Sequence, residues 1–211
     1  MRYKAVIFDL DGVICETDRY HYRAWKELAD SMGLAFDETI NNKLRGVSRK
    51  DSLDIILGES VTLYSNEEKE ALAEKKNKRY RELLEGMTPK DLDAEVKLVL
   101  KEVKNRGMKI AIGSSSKNAK LILDRLEIHS LFDTISDGNN IVKAKPDPEI
   151  FLKAAEWLGI EPKDCLVVED AKSGVLAAEA GGMDCAALGD ARKYGLAKYN
   201  LNSIKDLLDI L

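Results

Sequence analysis

Two carboxylates stand close together near the start of the chain, in Val6-Ile7-Phe8-Asp9-Leu10-Asp11-Gly12-Val13. Extended backbone points i and i+2 side chains the same way, so Asp9 and Asp11 can converge just beyond the end of a strand. Converging carboxylates repel unless a cation or a shared proton relieves them. A hard, oxygen-seeking ion such as Mg²⁺ is the usual answer. The plain alternative is a strand that ends in a polar turn, where Asp and Gly are common. Three more polar clusters lie further on: Ser114-Ser115-Ser116-Lys117-Asn118, Lys143-Ala144-Lys145-Pro146-Asp147-Pro148, and Glu169-Asp170. Taken singly they read as a polar loop with a helix cap, a solvated turn and a surface acidic pair. Taken together they could supply a nucleophile, hydroxyl and N–H donors, a cation and metal ligands, which are the parts phosphoryl transfer needs.

The elements around these clusters decide whether they can meet. Ala5 to Phe8 is apolar and rich in β-branched residues, as a strand buried on both faces should be. Apolar spacing from Tyr20 to Met32 predicts a helix with Thr17 or Asp18 as its cap. Further helices are predicted over 37–44, 49–57 and 67–84, the last opened by Ser65-Asn66-Glu67-Glu68. No strand is predicted between about Thr17 and Gly86. The pattern then alternates. Helices are expected over 95–105, 119–126, 148–158 and 173–180, with Ser114 near a helix N-terminus and Pro148 in a first turn. Strands are expected at 108–112, 134–136, 166–168 and 185–188, and a terminal helix over 203–211. Alternation of this kind predicts an α/β fold with a parallel sheet and helices on both faces. Ligands of such sheets bind outside the carboxyl ends of the strands. Asp9/Asp11, Ser114–Ser116 and Glu169/Asp170 each follow a strand, which points to one site.

Composition sets the outer bounds. The 211 residues allow one sizeable core with a smaller accessory domain. A net charge of −4, from 33 basic and 37 acidic residues, argues against nucleic acid as the main partner. No apolar run is long enough to span a bilayer, and Met1-Arg2-Tyr3-Lys4 does not open a signal peptide, so a cytoplasmic protein is expected. Cys15, Cys165 and Cys185 are too few and scattered for a disulfide framework.

Phe8-Asp9-Leu10-Asp11-Gly12-Val13, Ser114, Lys145 and Glu169-Asp170, in that order, resemble the signature of the haloacid-dehalogenase superfamily. The resemblance implies a Rossmann-like parallel-sheet core, residues 1–15 and 88–211, with an inserted α-helical bundle cap, residues 16–87. It implies Asp9 as nucleophile and Asp11 as general acid/base, with Thr17 a hinge residue assisting Asp11. Ser114 and Lys145 would hold the phosphoryl group. Mg²⁺ would bind Asp9, the Asp11 carbonyl, Asp170 and, directly or through water, Glu169. A narrower resemblance, to the β-phosphoglucomutase family within it, rests on His21-Tyr22-Arg23-Ala24-Trp25, Arg45-Gly46-Val47-Ser48-Arg49-Lys50-Asp51-Ser52, Lys76-Asn77 and Ser114-Ser115-Ser116-Lys117-Asn118. It implies β-glucose 1,6-bisphosphate as intermediate, with Arg49, Ser116, Lys117 and Asn118 on its distal phosphate. Trp25, Arg45, Gly46, Val47, Ser52, Lys76 and Ser115 would line the sugar region, with His21 near the acid/base. Plain readings of His21 and Trp25 are a helix-surface histidine and a bundle core residue. Arg45 and Ser115 stand where that family usually carries lysine and alanine, which bears on sugar preference. The implied partner is a small sugar phosphate and the implied state a monomer. Rival readings are a sugar-phosphate phosphatase, a phosphonate hydrolase (which needs a Schiff-base lysine that Lys76 suits poorly) and a non-catalytic metabolite-binding α/β module.

Overall fold

The computed structural model describes residues 2–44 and 47–211. The chain divides into two compact units, Met1–Glu16 with Met87–Leu211, and Thr17–Gly86.

The first unit is a six-stranded sheet, all neighbours parallel: β1 Ala5–Phe8, β2 Lys109–Gly113, β3 Thr134–Ser136, β4 Cys165–Glu169, β5 Asp184–Ala187 and β6 Tyr199–Asn200. Their order is β3-β2-β1-β4-β5-β6. Chain order therefore reverses at β1, and the crevice at such a reversal is where doubly wound sheets bind ligands. β1 and β4 are apolar, apart from Glu169 at the end of β4, because both faces are covered, and every residue of each is buried. Register fixes the rest. Phe8 pairs with Ile112 on one side and Val168 on the other. One step further along the three strands come Asp9, Gly113 and Glu169, so residues more than a hundred positions apart emerge at one sheet end.

In this unit helices run over Ala94–Asn105, Ala119–Arg125, Glu149–Leu158, Lys172–Ala180 and Leu207–Ile210. The helical unit contributes the four before them, Asp18–Ser31, Glu38–Asn42, Arg49–Leu57 and Asn66–Leu84, so in chain order the nine are α1 to α9. Ile150, Phe151, Ala154 and Ala155 of α7 pack with Val175, Ala177 and Ala178 of α8 over Ile7, Ala111 and Val167. Gly113 lets α7 come close, since a Cβ there would lie 2.6 Å from the Phe151 ring.

In the helical unit, Trp25, Leu28 and Ala29 of α1 form a core with Leu53, Ile56 and Leu57 of α3, joined by Phe36 and Leu44. Ser65 and Glu68 close a reciprocal capping box at the start of α4, and the Ser48 hydroxyl accepts the Asp51 N–H at the start of α3.

Several sequence expectations change. Pro148 is the cap of α7, which begins at Glu149. The expected strand 185–188 sits one residue earlier, and β6 was not expected, two residues being too few for a periodic signal. The expected terminal helix begins as a 3₁₀ turn, Ile204–Asp206, capped by Ser203, and only Leu207–Ile210 is α-helical. The last concerns Ser114. Helix α6 begins at Ala119, where it was expected, and the Ser114 hydroxyl lies in the loop before it and not at the helix N-terminus.

Candidate active site

Asp9 extends β1, its N–H bonded to the Val168 carbonyl at 2.9 Å. A tight turn follows, in which the Leu10 carbonyl accepts the N–H groups of Ile14 and Cys15. The buried Asp9 carboxylate accepts from Lys145 Nζ at 2.5 Å, and the same ammonium donates to Glu169 Oε1 at 2.6 Å. Residues remote in sequence thus form one buried ion triad. Glu169 Oε2 accepts the Ala171 N–H at 2.7 Å, so both oxygens of that side chain are engaged. Lys145 Nζ also lies 4.7 Å from the centre of the Phe151 ring. Burial opposes the charge on Lys145, but Asp9 and Glu169 win and raise its pKa. Burial pushes Asp9 up to about 7, aided by the charges of Glu169 and Asp11 and opposed by Lys145. Asp170 is pushed up to about 8, by burial first and then by Glu169 and Asp9.

Two glycines make room for this arrangement. A Cβ on Gly12, whose φ is +87°, would stand 2.1 Å from Asp170 Oδ2. One on Gly174, inside α8, would stand 1.8 Å from Glu169 Oε1. Sequence reasoning passed over Gly174, although a glycine inside a helical pattern usually signals a packing demand.

Ser114, fully buried at the end of β2, accepts the Ser116 N–H through its hydroxyl at 3.1 Å, and Ser116 does the same for Asn118 at 3.2 Å. The Ser115 hydroxyl oxygen is buried with no hydrogen-bond partner, and Lys117 is exposed.

Within the helical unit, Lys76 is buried, with its ammonium 2.8 Å from His21 Nδ1 and over the rings of Trp25 (4.6 Å) and Tyr80 (4.7 Å). His21 stacks on Tyr80 at 4.1 Å. Burial, with Lys76 and Arg49 nearby, holds the His21 pKa well below its usual value, so the neutral ring accepts from Lys76 at Nδ1. Trp25 is buried in that unit's core, as its packing reading expects. Arg49 Nη1 lies 3.5 Å from Glu74, Ser52 is buried beside it in α3, and Val47 is half-buried. Thr17 occupies the cap position of α1 with helical backbone angles and no side-chain cap bond. Arg45 and Gly46 lie outside the described residues.

A strand-end aspartate, a buried lysine bonded to it and an acidic pair at the end of the neighbouring strand form a set suited to moving a phosphoryl group. The haloacid dehalogenase-like hydrolase model matches residues 3–182. The chain belongs to that family. Among curated relatives, the β-phosphoglucomutase of Bacillus subtilis is 44% identical over 97% of this chain and 91% of its own length. A phosphorylated carbohydrates phosphatase of Thermotoga maritima is 32% identical over 98% and 90%. Among solved structures, a β-phosphoglucomutase from Clostridium difficile superposes with a TM-score of 0.92, at 39% identity, over 97% of this chain and 93% of that one.

This haloacid dehalogenase-like hydrolase has a donor set that fits the family's Mg²⁺. The charges of Glu169 and Asp11 raise the pKa values of both Asp9 and Asp170 in spite of the Lys145 ammonium, a surplus of negative charge that a divalent ion would relieve. No group of three or more acidic, histidine or cysteine side chains among the described residues forms a ready cage. Mg²⁺ commonly takes only one or two carboxylates, with water and substrate phosphate completing its shell. Asp9, Asp170 and the Asp11 carbonyl would hold it here, with Glu169 already bonded to Lys145 behind them. Because Asp9 and Asp170 rise to about 7 and about 8, protons compete with the metal below those values. Apparent Mg²⁺ affinity should therefore climb from about pH 6 to about pH 8, up to roughly tenfold per unit for each proton displaced. Mg²⁺ titrations followed by thermal shift at both ends of that range check this, and equal affinities would contradict it.

Proposed function

We propose that this protein is a phosphomutase that interconverts β-D-glucose 1-phosphate and β-D-glucose 6-phosphate through an aspartyl-phosphate and β-glucose 1,6-bisphosphate. The observation that carries the reading is the likeness to the B. subtilis β-phosphoglucomutase, which spans 97% of the chain and so includes both units. The site's chemistry agrees with it. Phosphorylated on Asp9, the enzyme gives its phosphoryl group to the C6 hydroxyl of β-glucose 1-phosphate, while Asp11 takes the hydroxyl proton. After the bisphosphate has turned over, Asp9 attacks the C1 phosphate. The P–O bond to the sugar breaks, Asp11 returns its proton to the C1 oxygen, and glucose 6-phosphate leaves. Lys145, fixed between Asp9 and Glu169, neutralises charge on the moving phosphoryl group, and the Ser114 loop offers further donors. When bound by Asp9, Asp170 and the Asp11 carbonyl, Mg²⁺ would supply further positive charge to the transfer.

In this reading Arg49, Ser116, Lys117 and Asn118 hold the phosphate that stays, a task for a guanidinium fork with hydroxyl and amide donors. His21, Trp25, Arg45, Gly46, Val47, Ser52, Lys76 and Ser115 border the sugar, and Thr17 assists Asp11. The helical unit, as a cap, excludes water from the aspartyl-phosphate. The enzyme acts as a cytoplasmic monomer on a small sugar phosphate, without nucleic acid. A second reading, a sugar-phosphate phosphatase, has the T. maritima relative in its favour. The mutase reading is tested by anomer: with Mg²⁺ and catalytic β-glucose 1,6-bisphosphate, β-glucose 1-phosphate should give glucose 6-phosphate and the α anomer should not. Equal turnover of both anomers contradicts it.

A further inference from the structure

Burial holds the segment that delivers Lys145 only at Ile141, which packs against the core. Beyond it Val142 is 92% exposed and Lys143 is exposed as well, so packing does not fix the path of the chain over these two residues. Helix α7 does so by charge. Its first residue, Glu149, accepts through Oε2 the backbone N–H groups of Val142 (2.9 Å) and Lys143 (2.8 Å). Its Oε1 lies 3.1 Å from Lys153, one helical turn on, and Lys153 in turn donates to the Asn140 carbonyl. A carboxylate and an ammonium on one helix face thus grip three backbone groups between Asn140 and Lys143.

The neighbouring turns are closed separately. Asn139 N–H bonds to Asp137 Oδ1 at 2.8 Å, and Asp147 N–H to the Ala144 carbonyl at 3.0 Å. The buried face of the same helix carries Phe151, whose ring stands against the Lys145 ammonium. One rigid element therefore touches Lys145 at its charged end and grips the chain two residues before it. The Glu149 carboxyl is held down at about 2 by those N–H groups and Lys153, so the grip persists throughout the neutral range.

We propose that the Glu149–Lys153 pair is the device that positions Lys145 between Asp9 and Glu169. Glu149 and Lys153 touch neither substrate nor reacting atoms; they act through the backbone that carries the lysine. The proposal rests on the reading of Lys145 as a phosphoryl-transfer residue.

The test compares wild type with E149A, E149Q and K153M in two assays. Steady-state turnover of β-glucose 1-phosphate should show kcat reduced by about a hundredfold in E149A, as expected for a catalytic group displaced by about 1 Å, with KM nearly unchanged. E149Q, which keeps an acceptor oxygen without the charge, and K153M should fall between. The second assay needs no substrate. Brief acetic anhydride labelling, read by peptide mass spectrometry, should leave Lys145 protected in wild type and modified in E149A, with intermediate labelling in the other two. If E149A does not fold, E149Q and K153M carry the same comparison. Wild-type kcat with Lys145 still protected, in variants that have lost the grip, would overturn the proposal, as would a loss confined to KM. A wild type inactive on every sugar phosphate would overturn the catalytic reading instead, and Lys145 labelling would still decide the positioning claim.

Discussion

Asp9→Asn should remove turnover by about 10⁴-fold or more, the scale on which loss of a nucleophile acts, and leave the protein folded. Asparagine keeps the size of the side chain and an oxygen that can accept from Lys145, which in the native protein stands 2.5 Å away. Stability should change little, because two effects of opposite sign meet at this position. The substitution removes a buried carboxylate that Glu169 and Asp11 repel. It also weakens a charge-assisted hydrogen bond to Lys145, and such bonds contribute about 1.5–3 kcal/mol. A second readout makes the prediction specific to the nucleophile. Wild type incubated with β-glucose 1,6-bisphosphate should gain a phosphoryl group on the peptide carrying Asp9, and the variant should gain none. A variant that retains more than a few per cent of turnover would show that the phosphoryl group does not pass through Asp9. A variant that still binds sugar phosphate, beside a wild type without turnover, would point to the non-catalytic binding module.

Gly174→Ala carries the other large effect, and its sign runs against helix propensity. In an exposed helix interior, glycine to alanine stabilises by about 1 kcal/mol. Here the new Cβ would stand 1.8 Å from Glu169 Oε1 and 2.0 Å from its carboxyl carbon. Glu169 has little room to yield, being buried and bonded to both Lys145 and the Ala171 N–H. Overpacking costs about 1–3 kcal/mol, and a displaced carboxylate also weakens its charge-assisted bond to Lys145. The net expectation is a loss of stability of about 1–3 kcal/mol. A fall in kcat of about a hundredfold should accompany it, because Lys145 loses one of its two fixed partners. Urea unfolding and steady-state kinetics on the same preparation check both halves. A variant as stable and as active as wild type would mean that Glu169 does not fix Lys145.

The parts of this architecture that a linear pattern can express were legible beforehand. The doubly buried runs of β1 and β4 announced themselves by composition, and the polar residues immediately after them pointed to a common sheet end. The parallel register of β1 with β2 and β4 then brings those ends together. Lys145 was legible only through the family motif. No periodicity marks it, because it follows an exposed segment held by side chains on α7. Gly174 and Glu149 went unnoticed for a related reason: each matters through what lies across space from it, a buried carboxylate in one case and two backbone N–H groups in the other. Ser114 shows a different failure. The start of α6 at Ala119 was legible, but Ser114 does not stand at that N-terminus: Ser114 and Ser116 use their hydroxyls to accept N–H groups within the loop ahead of it. Strand β6 escaped because two residues carry no period, although Tyr199 bonds Tyr3 at 3.0 Å across the sheet.

Mutase and phosphatase share every step up to the aspartyl-phosphate and part only over whether a sugar hydroxyl or water receives the phosphoryl group. The most direct test therefore records glucose 6-phosphate and free phosphate in one reaction, with β-glucose 1-phosphate, Mg²⁺ and catalytic β-glucose 1,6-bisphosphate. Glucose 6-phosphate accumulating with little free phosphate is the predicted result. Free phosphate released in step with the loss of β-glucose 1-phosphate would contradict it and make this protein a sugar-phosphate phosphatase.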